Sequence, residues 1–192
     1  MMGAFANGSA VSTTMHVKET ELHYLVGKSL KTAFSLPQNT LFFEVPVAGS
    51  RADILYVQTP APYETALNPG IHVFEVKMRW DNDKQRLSKQ LSDYTSSADY
   101  VWVVGVNKII EPGDENVGVL AFSTLSCKIR TVRPALAGRR VNLGNRQEIL
   151  ENAAGKLLRK YKLISDMARV NPVGERMLLV QEKLGVCDGK DG

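Results

Sequence analysis

Cysteine is scarce in this chain: two in 192 residues, Cys127 and Cys187. Neither has a CxxC partner, so a structural zinc is not expected. Two thiols also fall short of the disulfide framework of a small secreted domain. The three histidines, His16, His23 and His72, have no pair spacing and none reads as a metal ligand. Long apolar runs are missing too. The longest, Tyr100 to Val106, is about seven residues, against the roughly 20 that a membrane-spanning helix needs. The opening MMGAFANGSAVSTTM lacks the charged region and continuous apolar core of a secretory signal. It reads as a flexible tail, and an intracellular, reducing location is the expectation. There is no internal repeat.

What is present is ordinary globular composition, 44% hydrophobic and 23% charged. That excludes a disordered chain, a collagen and a coiled coil. The length suits one domain with a small appendage. The net charge of +4 hides an asymmetry. Residues 1–127 carry 10 Lys+Arg against 13 Asp+Glu, whereas residues 128–169 carry 11 against 3. A basic block on a mildly acidic body suits a polyanion partner, nucleic acid first, or else a solvated basic face.

Residues 18–34 place Leu22, Leu25, Val26, Leu30 and Ala33 at helical spacing, with Pro37 as a stop signal. Strands are expected over 41–47, 51–57 and 71–78, and Pro46 argues for a sheet edge or a strand end in the first. A helix follows over 84–97. The almost wholly apolar 99–106 predicts a strand buried on both faces, and 117–122 and 127–132 predict two more strands. Residues 134–144 form a basic loop. A helix over 146–161 has Ile149, Leu150, Ala153, Leu157, Leu158 and Tyr161 on one stripe, and a last helix spans about 174–184. This order predicts an α/β mixed-sheet core with a C-terminal helical extension. The divisions are a tail (1–16), a core (17–133), a basic helical extension (134–186) and a tail (187–192).

Chemistry concentrates on two strands and a helix. Side chains alternate along a strand, so Val73, Glu75 and Lys77 share one face. Arg51, Asp53 and Leu55 share a face of the preceding strand. If the two strands pair, Asp53 and Glu75 converge, and convergent carboxylates repel unless a cation lies between them. Oxygen ligands suit Mg²⁺ (or Mn²⁺). With Lys77 beside them, the set fits metal-assisted phosphodiester hydrolysis. On the following helix, Gln90 and Tyr94 stand one turn apart. Gln90, at the edge of the Leu87–Leu91–Tyr94 stripe, points at the carboxylates or caps a strand.

Asp53, then Glu75-Val76-Lys77, then Gln90-Leu-Ser-Asp-Tyr94, in an α-β-β-β-α-β order, resemble the PD-(D/E)XK nuclease superfamily and the Gln-x-x-x-Tyr element of its RecB-type members. Ala52 stands where the name has Pro. The resemblance covers about half the chain. It implies a restriction-endonuclease-like fold and a metal-dependent nuclease of repair, recombination or restriction. It also implies that Asp53, Glu75 and the Val76 carbonyl hold the metal while Lys77 serves the attacking water. A further acid from the first helix often joins such sites. Glu19 and Glu21 are the candidates, Glu19 preferred because it continues the buried stripe, and Glu19-Thr-Glu-Leu is similar to the start of archaeal Holliday-junction resolvases. Glu44, on the 41–47 strand, is another candidate site acid, though it reads more as a solvent-facing or supporting residue.

Arg51, Arg79, Trp80 and Lys84 flank the site as expected phosphate or base contacts, with packing under the loop as the other reading of Trp80. In the basic block, Lys128 and Arg130 share a strand face, Arg139 and Arg140 lie in the loop, and Lys156, Arg159 and Lys160 share a helix face. These are the expected phosphate-tracking residues. DNA is the expected partner, RNA the second choice. A homodimer would supply the two centres that two cuts on a duplex require. The alternative is a catalytically silent nucleic-acid-binding or assembly protein that keeps the fold.

Overall fold

In the computed structural model of the chain, the described residues are 18–37, 40–58, 65–78, 84–138 and 142–170. The expected tails, the helix at 174–184, Arg79, Trp80, Arg139 and Arg140 lie outside them, as does the side chain of Lys84.

Helix α1 spans Glu19–Phe34 and buries Leu22, Val26, Leu30 and Phe34, one residue per turn. It closes on Ser35, a left-handed residue whose N–H donates to the Lys31 carbonyl. A meander follows: β1 (Leu41–Val47), β2 (Ser50–Gln58) and β3 (Gly70–Lys77), successive strands antiparallel. Val47 pairs with Ser50, so the β1–β2 loop is Ala48-Gly49, both with positive φ (47° and 78°). That conformation matches the twist of a two-residue hairpin and favours glycine at its second position. Helix α2 (Lys84–Thr95) then carries the chain to β4 (Tyr100–Val106), parallel to β3. β5 (Gly118–Ser123) adds in parallel, and β6 (Lys128–Arg133) closes the sheet antiparallel to β5. The architecture is therefore α/β, the described residues forming one six-stranded mixed sheet in the order β1-β2-β3-β4-β5-β6.

Each face of the sheet has its own core. On one, α1 packs on Ile54, Tyr56, Phe74, Val76, Trp102, Val104, Leu120 and Phe122. On the other, Leu87, Leu91 and Tyr94 of α2 meet Leu55, Ile71, Val73, Val101 and Val103. β4 feeds both cores with alternate residues, which explains its unbroken apolar run. Each such buried side chain contributes roughly 1.5–3 kcal/mol.

The last described helix, α3 (Leu143–Val170), starts earlier and runs longer than the expected 146–161. Its packing face also differs from the expected stripe. Ile149 and Ala153 are buried, but Leu150 and Leu158 are exposed. The inward face is instead mixed. Asn145 donates to Ser97 Oγ, Asn152 donates to the Pro46 carbonyl, and Lys156 reaches the carbonyls of Phe43 and Glu44. The reason is the target: α3 lies against β1, an edge strand whose backbone polar groups need partners.

Candidate metal centre

β2 and β3 pair as far as Ile54↔Phe74 and then stop. The next pair in that register is Asp53 and Glu75. At this fork the Val76 N–H, which has no β2 backbone partner, donates to Asp53 Oδ2 at 2.7 Å. Glu75 is 1% exposed. Its Oε1 lies 2.6 Å from Lys77 Nζ, and its Oε2 lies 3.3 Å from the Tyr94 hydroxyl. That hydroxyl also lies 2.9 Å from the Arg51 carbonyl, so its one proton is shared between two acceptors.

Asp53, Glu75, Lys77, Glu19 and Gln90 line one open cleft of about 850 Å³ beside the Ala48-Gly49 hairpin. Tyr94 forms its buried support. Between the two helix acids, Glu19 lines the cleft, whereas Glu21 accepts the Lys18 N–H at 3.2 Å. Gln90 is half-buried in the wall, and its amide has no hydrogen-bond partner among the described residues.

Burial dominates the electrostatics. It pushes the Asp53 carboxyl up to about 6, with the Glu44 and Glu19 charges adding and the Val76 N–H and Lys77 opposing. Glu75 is pushed up to about 7, first by burial and then by Asp53, against the pull of Lys77 and Tyr94. Burial and the same two carboxylates hold the Tyr94 phenol well above its usual range, so it stays a donor. Two desolvated carboxylates with raised proton affinity are a site that a divalent cation relieves.

The structure brings in His23, which the sequence reading excludes, and Glu44, which it ranks below the other acids. His23 is buried on α1, one turn after Glu19. Its Nδ1 lies 2.8 Å from Glu44 Oε1, and its Nε2 lies 3.7 Å from Asp53 Oδ1. One ligand atom from each of His23, Glu44 and Asp53 falls within 4.8 Å of the others, a cluster that could hold a metal ion and that histidine spacing alone does not announce. Glu44 is half-buried in the cleft wall rather than facing solvent, and it also pairs with Arg51 Nε at 2.8 Å. The physical reason is its φ of 54°, which breaks the strand alternation. Such a conformation costs a non-glycine residue on the order of 1–3 kcal/mol. The i, i+4 relation of Glu19 and His23 was the available signal for His23.

The expected phosphate contacts scatter. Arg51 is exposed at the cleft rim. Lys128 and Arg130 are exposed on β6, the edge of the sheet opposite β1. Arg159 is exposed and Lys160 half-buried on α3, and Lys156 points at β1. Arg86, Lys89 and Asp93 of α2 line the cleft and were not singled out from sequence.

The class defined by these features is an α/β protein with an acidic, partly desolvated cleft at a strand fork. A family model described as bacteriophage P4 protein cII matches residues 16–179, and the chain belongs to that family. No curated protein matches it. Among solved structures, a Silicibacter pomeroyi chain titled SPO1766 protein of unknown function is similar, with a TM-score of 0.55 at 16% identity, covering 83% of this chain and 100% of that one. The likeness is one of fold.

Proposed function

We propose that this chain is a metal-dependent nuclease of the PD-(D/E)XK type, hydrolysing DNA phosphodiester bonds on a restriction-endonuclease-like core. The observation that carries this reading is the fork, where Asp53, Glu75 and Lys77 line one open cleft with both carboxylates desolvated. The α1-β1-β2-β3-α2-β4 order, with β3 and β4 parallel around a crossover helix, supports the fold assignment.

The donor set fits a hard divalent ion. Asp53 and Glu75 offer carboxylate oxygens suited to Mg²⁺, and His23 adds an imidazole that widens the set toward Mn²⁺. The Val76 carbonyl is a further expected donor. The bound ion would lower the pKa of a water and neutralise phosphate charge. Lys77, within 2.6 Å of Glu75, orients the attacking water and balances the charge growing on the phosphate oxygens. Tyr94 holds Glu75 by its hydroxyl, and Gln90 offers amide donors to a phosphate oxygen.

The test is incubation of linear, plasmid, branched and single-stranded DNA, and RNA, with the protein and Mg²⁺ or Mn²⁺. Cleavage of at least one substrate, abolished by EDTA, is the expected result. Binding with no cleavage of any substrate favours the silent, fold-keeping alternative.

A further inference from the structure

We propose that Lys156 is a positioning residue: from α3 it clamps the kinked backbone of β1 and so aims Glu44 into the acidic cleft. The inference rests on the nuclease reading for its consequence and on local geometry for its substance.

Three observations meet at one point. First, Glu44 sits in the left-handed region inside a strand, at φ 54°. A glutamate holds that conformation when its surroundings over-determine it. Second, the Lys156 ammonium donates to the carbonyl of Glu44 at 2.6 Å and to that of Phe43. These are the two carbonyls that flank the kink. They lie on an edge strand, so among the described residues neither has a second strand beyond it. A charged donor shared between two carbonyls is stronger than a neutral one. Third, the Glu44 carboxylate leaves the same kink toward His23 at 2.8 Å and Arg51 at 2.8 Å, within ligand reach of Asp53. With extended backbone at residue 44, strand alternation would govern its side chain and the carboxylate would leave that position.

Burial lowers the proton affinity of Lys156, with the nearby Arg159 and Arg51 adding and Glu44 opposing. The ammonium is thus held inward at some cost, which a solvated surface lysine would not bear. The wider placement of α3 agrees. Ile149 and Ala153 pack in the α2-side core, and Lys160 acts on Lys31 of α1, so the helix passes over the β1 edge from one face of the sheet to the other. This part of the basic block braces the cleft instead of tracking phosphate.

The experiment uses the full chain with Lys156→Met, Lys156→Arg and Asn152→Ala. Lys156→Met keeps the stem and removes the donor. Asn152→Ala removes a different α3–β1 bond, 3.3 Å to the Pro46 carbonyl, and controls for loosened docking. The readouts are the ¹⁵N resonance of His23 Nδ1, which reports the Glu44 contact, and Mn²⁺ affinity by calorimetry. Lys156→Met should move the His23 resonance toward that of a free imidazole and weaken Mn²⁺ binding about tenfold. Lys156→Arg should restore both in part, and Asn152→Ala should leave the His23 resonance in place. An unchanged His23 resonance in folded Lys156→Met overturns the proposal. If Lys156→Met does not fold, the melting temperatures of Lys156→Arg, alone and with Glu44→Gly, decide instead. Glycine accepts the left-handed backbone freely, so the arginine variant should lose fewer degrees in the Glu44→Gly background, and an equal loss overturns the proposal. If the wild type neither binds Mn²⁺ nor cuts DNA, the nuclease reading fails, while the His23 resonance still decides the role of Lys156.

Discussion

The backbone N–H of Val76 donates to the Asp53 carboxylate at 2.7 Å, at the point where β2 and β3 part. Asp53 therefore has two duties. It satisfies a donor that the sheet leaves behind, and it presents its second oxygen to the cleft. Substitution separates the duties. Asp53→Ala should lower the melting temperature, because an orphaned buried N–H costs ~1–3 kcal/mol, or roughly 2–4 °C per kcal/mol at this size. Asp53→Asn keeps an acceptor and removes a crowded charge, so its melting temperature should match or exceed wild type while metal-dependent cleavage is lost. Calorimetry of the two variants checks this, and equal destabilisation by both would contradict it.

Stability should depend on pH through Glu75. The folded values of Asp53, about 6, and Glu75, about 7, lie above their ordinary ones of 3.8 and 4.5. The folded chain therefore holds these protons more tightly than the unfolded chain. The stability they confer is complete below about pH 4 and is lost as pH rises through 6 and 7. His72 works in the opposite sense: burial holds it at about 4, so its contribution is present above about 6.5 and is lost as pH falls toward 4. A comparison at matched pH cancels His72. Glu75→Gln should melt several degrees above wild type at about pH 8, and the two should converge near pH 5. Mg²⁺ should raise the wild-type melting temperature more at pH 8 than at pH 5.

Charge at the cleft rim should matter more for nucleic acid than charge on the far strand. Arg86 and Lys89 line the cleft, whereas Lys128 and Arg130 stand on β6 at the opposite edge from β1. Paired reversal of Arg86 and Lys89 to Glu should weaken DNA binding and flatten its salt dependence. The same reversal at Lys128 and Arg130 should have the smaller effect. Fluorescence anisotropy over a salt series distinguishes them, and a larger loss from the β6 pair would place the DNA path over that edge.

The sheet's interior predicts one severe small substitution. A Cβ on Gly118 would stand 2.3 Å from Trp102 Cε3 and 2.7 Å from the Ala135 nitrogen. Trp102 in turn donates to His72 Nδ1 at 3.3 Å and stacks on Phe74. Gly118→Ala should therefore cost about 1–3 kcal/mol and alter the near-ultraviolet tryptophan signal. An unchanged melting curve would show that the ring can move aside.

The meander, the crossover helix and β4 were legible from sequence because each rests on a local pattern. Two-residue alternation set the face of Glu75 and Lys77, and a seven-residue apolar run marked the doubly covered strand. The Asp53–Glu75 convergence followed from pairing adjacent strands. Glu44 is legible only as a secondary candidate acid, because the left-handed backbone that turns it inward leaves no compositional trace at a non-glycine residue. His23 carries only its one-turn spacing from Glu19 as a signal, because its partners Glu44 and Asp53 come from β1 and β2 and share no sequence spacing with it. Lys156 is indistinguishable in sequence from its basic neighbours, since charge runs do not reveal which member turns inward against a strand edge.

The central claim is that the Asp53–Glu75 fork holds a divalent ion for phosphodiester hydrolysis. Its most direct test is a single-turnover cleavage time course on the susceptible DNA with Mg²⁺, comparing wild type with Glu75→Ala and Lys77→Ala, each shown to be folded. The expected result is metal-dependent cleavage by wild type and a loss of at least a hundredfold in both variants. Cleavage by the variants at the wild-type rate, or none by wild type with either Mg²⁺ or Mn²⁺, would contradict it.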